Sequence, residues 1–205
     1  MRLSPLVLLA ALAACGPADT PDPAPPAQEV EAPDPAPTPQ PSPADAATDA
    51  PPPDSPETLT ADGWGPLRIG MSRAELVAAV GDARAGLVTG PEPESCEYFH
   101  PVDAPEGVLV MLVDGVLDRI TLTDEATLKT AGGVGVGDAA TDVKAAYEDA
   151  EVQPHQYLDG GEYVTAWRTG SGDAGSRGIR YEIADGRVRF VHAGGPAIRY
   201  VEGCS

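Results

Sequence analysis

The chain has 205 residues, of which 32 are acidic and 13 basic, giving a formal net charge of -19, with 23 Gly and 23 Pro. So acidic a balance argues against nucleic acid as a partner and disfavours adsorption to anionic lipid headgroups. The segment from about Leu59 to Ser205 is long enough for one domain, or two small repeated ones, with a modest core.

Met1-Arg2 supplies a positive start and Leu6 to Leu12 an apolar stretch too short to span a bilayer, followed by Leu12-Ala13-Ala14-Cys15. A cysteine after two small residues resembles the signals of bacterial lipoproteins. The resemblance implies cleavage before Cys15, diacylation of its thiol and acylation of the new amine. One fatty chain binds a membrane weakly, whereas several hold it stably, so the anchor and not surface charge would carry the membrane association. The alternative is an ordinary secretory leader in which the cysteine is incidental. Gly16 after Cys15 resembles the sorting rule that sends enteric lipoproteins to the outer membrane, facing the periplasm. The expected organisation is a signal peptide at 1-14, an anchor with a disordered linker at 15-58, and a globular domain at 59-205.

From Gly16 to about Thr58 the chain is Pro, Ala, Asp, Glu and Thr, with no aromatic residue and almost no large aliphatic one, so it cannot offset the entropy of folding. Repeats such as Pro33-Asp34-Pro35-Ala36-Pro37 favour polyproline II, and such a tether reaches at most ~130 Å.

Within the globular part, Gly65-Pro66-Leu67-Arg68-Ile69-Gly70-Met71-Ser72 recurs weakly as Gly132-Gly133-Val134-Gly135-Val136-Gly137-Asp138, about 70 residues on. A capping box of Ser72 and Glu75 opens a helix that stops at Gly81, and Asp138 is expected to cap a second helix over Ala139 to Asp149. Strands follow at Cys96 to His100 and Val108 to Val113, then the turn Asp114-Gly115 and a strand from Val116 to Thr123. The second copy reads as Tyr163 to Thr169, Gly178 to Ala184, the turn Asp185-Gly186, Arg187 to Ala193 and a last strand Ile198 to Glu202. The expected fold is α+β: two helix-plus-antiparallel-meander repeats, at 59-124 and 125-205, packed as one domain.

With Cys15 assigned to lipid, Cys96 and Cys204 remain. Two thiols in one exported domain are expected to form a disulfide, the alternative being a redox or nucleophilic cysteine.

The Gly-Met-Ser cap, the short helix and the antiparallel meander together resemble the small outer-membrane lipoprotein domains of the SmpA/OmlA type, and in tandem the β-lactamase inhibitory protein fold. Cys96-x-Tyr98, Gly135-Val136-Gly137-Asp138, Pro154-His155-x-Tyr157 and Glu202-Gly203-Cys204-Ser205 are also similar to uncharacterised secreted or lipid-anchored bacterial proteins. The resemblance implies a fold and an envelope location, and no chemistry.

No catalytic motif emerges. His100, His155 and His192 lack metal-ligand spacing, Ser171 and Ser176 sit in a Gly-rich connection without a nucleophile elbow, and neither Gly-rich stretch has the lysine of a phosphate loop. In the register of a two-residue turn, Glu182 faces Arg189 and Tyr181 faces Phe190. The chain therefore reads as a non-catalytic, lipid-anchored protein-binding or scaffold module, with no cofactor, no metal and an envelope protein as its partner. Trp64, Trp167, Tyr163 and Tyr200, on an open sheet face, are the candidate contacts. Two alternatives are an inhibitor of a periplasmic or foreign hydrolase, and a small-ligand binder or enzyme using the loop of His155 and Tyr157.

Overall fold

A computed structural model describes residues 58-84, 88-89 and 95-204. The expected signal peptide, Cys15 and nearly all of the Pro-rich linker lie outside the described residues. In chain order the elements are β1 (Thr58–Leu59), β2 (Gly63–Trp64), β3 (Leu67–Arg68), α1 (Arg73–Val80), β4 (Val88–Thr89), β5 (Cys96–Phe99), β6 (Val108–Val113), β7 (Val116–Leu122) and β8 (Lys129–Thr130). They continue with α2 (Ala140–Ala146), β9 (Glu151–Pro154), β10 (Glu162–Thr169), β11 (Arg177–Ala184), β12 (Arg187–Gly194) and a 3-10 turn, Pro196–Arg199.

The fold is α+β. Eight strands form one antiparallel sheet in the order β4-β5-β6-β7-β12-β11-β10-β9, while β1 pairs with β8 and β2 with β3. The central pair is β7 with β12, which sets His192 opposite Thr121 and Ala193 opposite Ile120.

Local chemistry accounts for the main elements. Ser72 caps α1 by accepting from the Glu75 backbone N–H, and the Glu75 carboxylate accepts from the Ser72 N–H at 2.9 Å, which closes the capping box. The two long hairpins turn at Asp114-Gly115 (φ 51° and 77°) and Asp185-Gly186 (φ 52° and 72°), the paired positive angles that Asp-Gly supplies at least cost.

The turn that precedes each helix clasps the following hairpin in the same way. Gly70 N–H donates to Leu117 C=O (2.7 Å), Leu117 N–H to Met71 C=O (2.7 Å) and Arg73 N–H to Gly115 C=O (3.1 Å). In the second half Gly137 N–H donates to Val188 C=O (2.9 Å), Val188 N–H to Asp138 C=O (3.0 Å) and Ala140 N–H to Gly186 C=O (2.9 Å).

One sheet face carries the core. Val108, Val110 and Leu112 of β6, Leu117, Ile120 and Leu122 of β7, Tyr181 and Ile183 of β11, and Val188 and Val191 of β12 join Leu76 and Val80 of α1 and Val143 of α2 in a single apolar cluster. The opposite face is not the open surface the sequence suggested. The C-terminal segment lies against it, with Ala197 and Cys204 in a second, smaller cluster with Met111.

The structure departs from the sequence reading at further points. The last segment is a 3-10 turn at Pro196–Arg199, not a strand, because its carbonyls are taken by a guanidinium: Arg119 donates to Ala197 C=O (3.0 Å) and Tyr200 C=O (2.9 Å). Asp118 holds the other end, accepting from Gly195 N–H at its carbonyl and from Ala197 N–H at its carboxylate.

Asp138 does not cap α2. Ala139 is the N-cap, without a side-chain bond, and the Asp138 carboxylate accepts from Gly135 N–H (2.7 Å) and Lys129 Nζ (3.2 Å). That helix ends at Ala146 rather than Asp149, with Tyr147 leaving helical geometry at φ -136°.

Bulges shift the hairpin registers. Phe190 lies opposite Glu182 and Val191 opposite Tyr181, because Arg189 is an extra residue; Asp118 plays the same part between β6 and β7. Finally, β9 is a strand that the alternation does not mark.

Candidate functional site

Alternation along β10, β11 and β12 sends Tyr163, Thr165, Arg180, Glu182 and His192 to the face opposite the core. There they form a buried polar row in which Thr165 faces Arg180, Arg180 faces His192 and His192 faces Thr121. The His155 loop folds over it. His155 Nδ1 accepts from the backbone N–H of Tyr157 (3.0 Å) and Leu158 (3.1 Å), which leaves the proton on Nε2, and this donates to Glu182 Oε1 at 2.9 Å. The ring stacks on Tyr163 at 4.5 Å between centroids, and the Arg180 guanidinium lies over Tyr163 at 3.9 Å.

His192 Nδ1 lies 2.9 Å from the Thr121 hydroxyl and its Nε2 lies 3.9 Å from Glu182 Oε2. Burial pushes the His192 imidazole down to about 4, with Arg119 and Arg180 adding to the effect against the pull of Glu182, so it is neutral at physiological pH. Burial acts to raise Glu182, yet the imidazoles of His192 and His155 more than reverse this and hold its carboxyl below the usual range. Burial also lowers Arg119 to about 10. Within this row His155 is bonded to Glu182 and His192 to Thr121, the buried hydroxyls of Tyr163 and Thr165 have no hydrogen-bond partner among the described residues, and both imidazoles face protein rather than solvent. Among the described residues no group of three His, Cys, Asp or Glu is placed to hold a metal ion.

The loop that carries His155 also makes surface. Tyr157, Leu158, Tyr200 and Val201 are 56%, 46%, 45% and 37% exposed, and the Tyr157 hydroxyl donates to the Glu202 carboxylate, tying the loop to the C-terminal segment. That hydrogen bond holds the Tyr157 hydroxyl above the usual phenol range. A disulfide between Cys96 of β5 and Cys204, with Cα atoms 5.6 Å apart, anchors the far end of the segment to the sheet.

The two tryptophans occupy a different place. Trp64 is buried at 8% exposure on β2, outside the large sheet, and Trp167 is half-buried on β10. Both line a cleft of about 820 Å³ between the β1–β3 segment and the end of β10 and β11. Below it the hydroxyls of Thr130, Tyr181 and Tyr147 lie within 3.4 Å of one another, and Thr130 donates onward to Val134 C=O.

The sequence-level candidates therefore divide. Tyr157 and Tyr200 are exposed on the two segments that the Tyr157–Glu202 hydrogen bond ties together, Trp64 and Trp167 share a cleft, and Tyr163 and His155 are packing residues of the buried row. Tyr163 and Trp64 are not exposed contacts: the His155 ring stacks on Tyr163, and Trp64 packs into the main apolar cluster. Glu182, His192, Arg119, Leu158 and Val201 were not read as site residues. Alternation along β11 already placed Arg180 and Glu182 on one face, but only the bulge at Arg189 brings His192 to that face.

The chain matches no protein-family model, and no curated protein matches it significantly.

Proposed function

We propose that this chain is a lipid-anchored lipoprotein of the bacterial cell envelope. Its folded part, a tandem of two helix-plus-meander repeats, works as a non-catalytic protein-binding module at the end of a Pro-rich tether. The matched clasps of Gly70 and Gly137 on their hairpins support the tandem reading. The observation that carries the binding reading is the patch of Tyr157, Leu158, Tyr200 and Val201, drawn from two segments bridged by the Tyr157–Glu202 hydrogen bond. Exposed aromatics and aliphatics gathered in one place are the usual mark of an interaction surface, and Tyr is a favoured anchor there. A non-catalytic role is supported by the burial of the His155 and His192 rings and by their engagement with Glu182 and Thr121.

The test is crosslinking in living cells followed by mass spectrometry, comparing the full chain with Cys15→Ala and with Tyr157→Ser/Tyr200→Ser. The expected result is one enriched envelope protein, lost in the double variant, with the full chain in the membrane fraction and Cys15→Ala released from it. A partner set unchanged by the double variant would overturn the patch. An unchanged membrane fraction for Cys15→Ala would overturn the anchor.

A further inference from the structure

The cleft between Trp64 and Trp167 plays no part in that reading. Its volume of about 820 Å³ lies within the range of ligand sites. Its side chains offer mostly carbon. Both indole N–H groups are buried out of reach of a guest, so the two tryptophans present ring carbons, beside Tyr147, Ala166 and Ile179. Most of the polar side chains around it are already engaged: Asp62 with Arg168, the Thr60 hydroxyl with Gly63 C=O (3.0 Å) and the Tyr147 hydroxyl with Thr130 (3.4 Å). Arg68 differs. One of its guanidinium nitrogens donates to Gly65 C=O and Leu67 C=O (2.7 Å each), and it makes no ion pair with a carboxylate among the described residues. The cleft therefore suits a guest with an apolar body, a negative charge and little need of hydrogen bonds.

The path of the chain supplies one. Thr58 and Thr60 line the cleft while Leu59 between them sits in the core, so the residue before Thr58 starts at the cleft wall. That residue is Glu57, the end of Pro51-Pro52-Pro53-Asp54-Ser55-Pro56-Glu57, which carries four prolines, two carboxylates and no cation. Proline-rich sequences dock in aromatic-lined grooves through their rings, and their preformed extended backbone loses little entropy in doing so. At ~3.1 Å per residue the seven residues stay within ~22 Å of Thr58. So short an attachment gives an effective concentration in the millimolar range, and weak contacts then suffice. A free anionic guest would instead be repelled at long range by the net charge of -19. We propose that the segment Pro51 to Glu57 docks in this cleft, with its prolines against Trp64, Trp167 and Tyr147 and its carboxylates toward Arg68. Docking fixes the direction in which the rest of the Pro-rich chain leaves the domain and keeps other peptides out of the cleft.

The full chain has two tryptophans, both in the cleft, so its indole N–H signals in a heteronuclear NMR spectrum report on this site alone. The triple variant Pro51→Gly/Pro52→Gly/Pro53→Gly, made in the full chain, is expected to move both signals while the melting temperature changes little. A synthetic heptapeptide of residues 51–57 is expected to bring the variant's signals back toward their original positions with Kd of about 1 mM. The same peptide should move the parent's signals about threefold less, because its own segment competes. Asp54→Asn/Glu57→Gln is expected to move the signals part of the way. Signals that coincide in the parent and the triple variant would overturn the proposal. So would an equal response of parent and triple variant to the peptide, which would leave the cleft open to peptides from elsewhere. Signals unmoved in the charge variant would overturn the part given to Arg68. None of these results bears on the exposed tyrosine patch.

Discussion

The two halves of the domain share a backbone plan and differ in what their side chains do with it. In both, a positive-φ glycine (Gly70, Gly137) clasps a hairpin that turns at Asp-Gly and carries a bulge after the turn. In the first half the extra residue, Asp118, reaches the C-terminal segment, and its neighbour Arg119 binds two carbonyls there. In the second half the extra residue is Arg189 and the next is Phe190, and among the described residues neither holds a strap. The first helix has a capping box and the second has an uncapped Ala139. The features held in common are set by backbone geometry. Those that diverge are side-chain interactions, which build the covered face and the candidate sites.

This contrast can be broken most forcefully at its covalent tie. The disulfide closes a loop of 108 residues onto the first half, so Cys204→Ser is expected to cost ~4 to 5 kcal/mol on the chain-entropy model, read by urea denaturation with and without reductant. Cys96→Ser should cost the same within error. A cost below ~1 kcal/mol for either would mean that Arg119 and Asp118 hold the strap unaided.

Next comes the seam between the halves, where His192 faces Thr121. The His192 pKa falls from 6.5 to about 4 on folding, so between these values the unfolded chain binds more protons and stability rises with pH. Glu182, whose folded pKa is also depressed, adds stability that is lost as pH falls through its folded value. Unfolding free energy is therefore expected to drop by roughly 3 kcal/mol from pH 7 to pH 4 through His192, and His192→Gln should flatten that slope. An equally steep profile in the variant would move the effect elsewhere.

A core probe should treat the halves more alike. Leu76→Ala in α1, whose side chain is fully buried, is expected to cost ~2 to 5 kcal/mol depending on how far the site collapses, and Val143→Ala at the matching place in α2 a smaller amount, both read by thermal melting. The smallest effects sit at the caps. Ser72→Ala should destabilise by ~1 kcal/mol, and Ala139→Ser, at a residue already extended (φ -75°, ψ 148°), should stabilise by roughly 0.5 to 1 kcal/mol and make the helices more alike. No gain from Ala139→Ser would show that the Ala140 N–H bond to Gly186 already meets the need of that terminus.

Local signals were the legible ones. Ser72 with Glu75, and Asp-Gly at two places, specify a helix start and two hairpins within a few residues, because one side chain and one or two φ values decide each. The registers were not legible, since a bulge changes little locally and yet shifts every partner beyond it; Glu182 met Phe190 instead of Arg189 for this reason. The 3-10 turn at Pro196–Arg199 was missed because its carbonyl partner, Arg119, is distant in sequence. For Asp138, cap chemistry was right in kind, but Gly135 N–H and Lys129 were nearer than the helix.

The amino-acid sequence by itself determined the acidic charge, the α+β class and the positions of the first helix and both long hairpins. These follow from composition, short-range spacing and backbone preferences. Tertiary structure alone decided which residues meet: the burial of His155 and His192 around Glu182, the bridge from Tyr157 to Glu202, and the pairing of Trp64 with Trp167 across one cleft. Each of these contacts joins residues from different strands or segments, and their meeting depends on strand order, bulges and the path of the C-terminal strap, which no local pattern encodes.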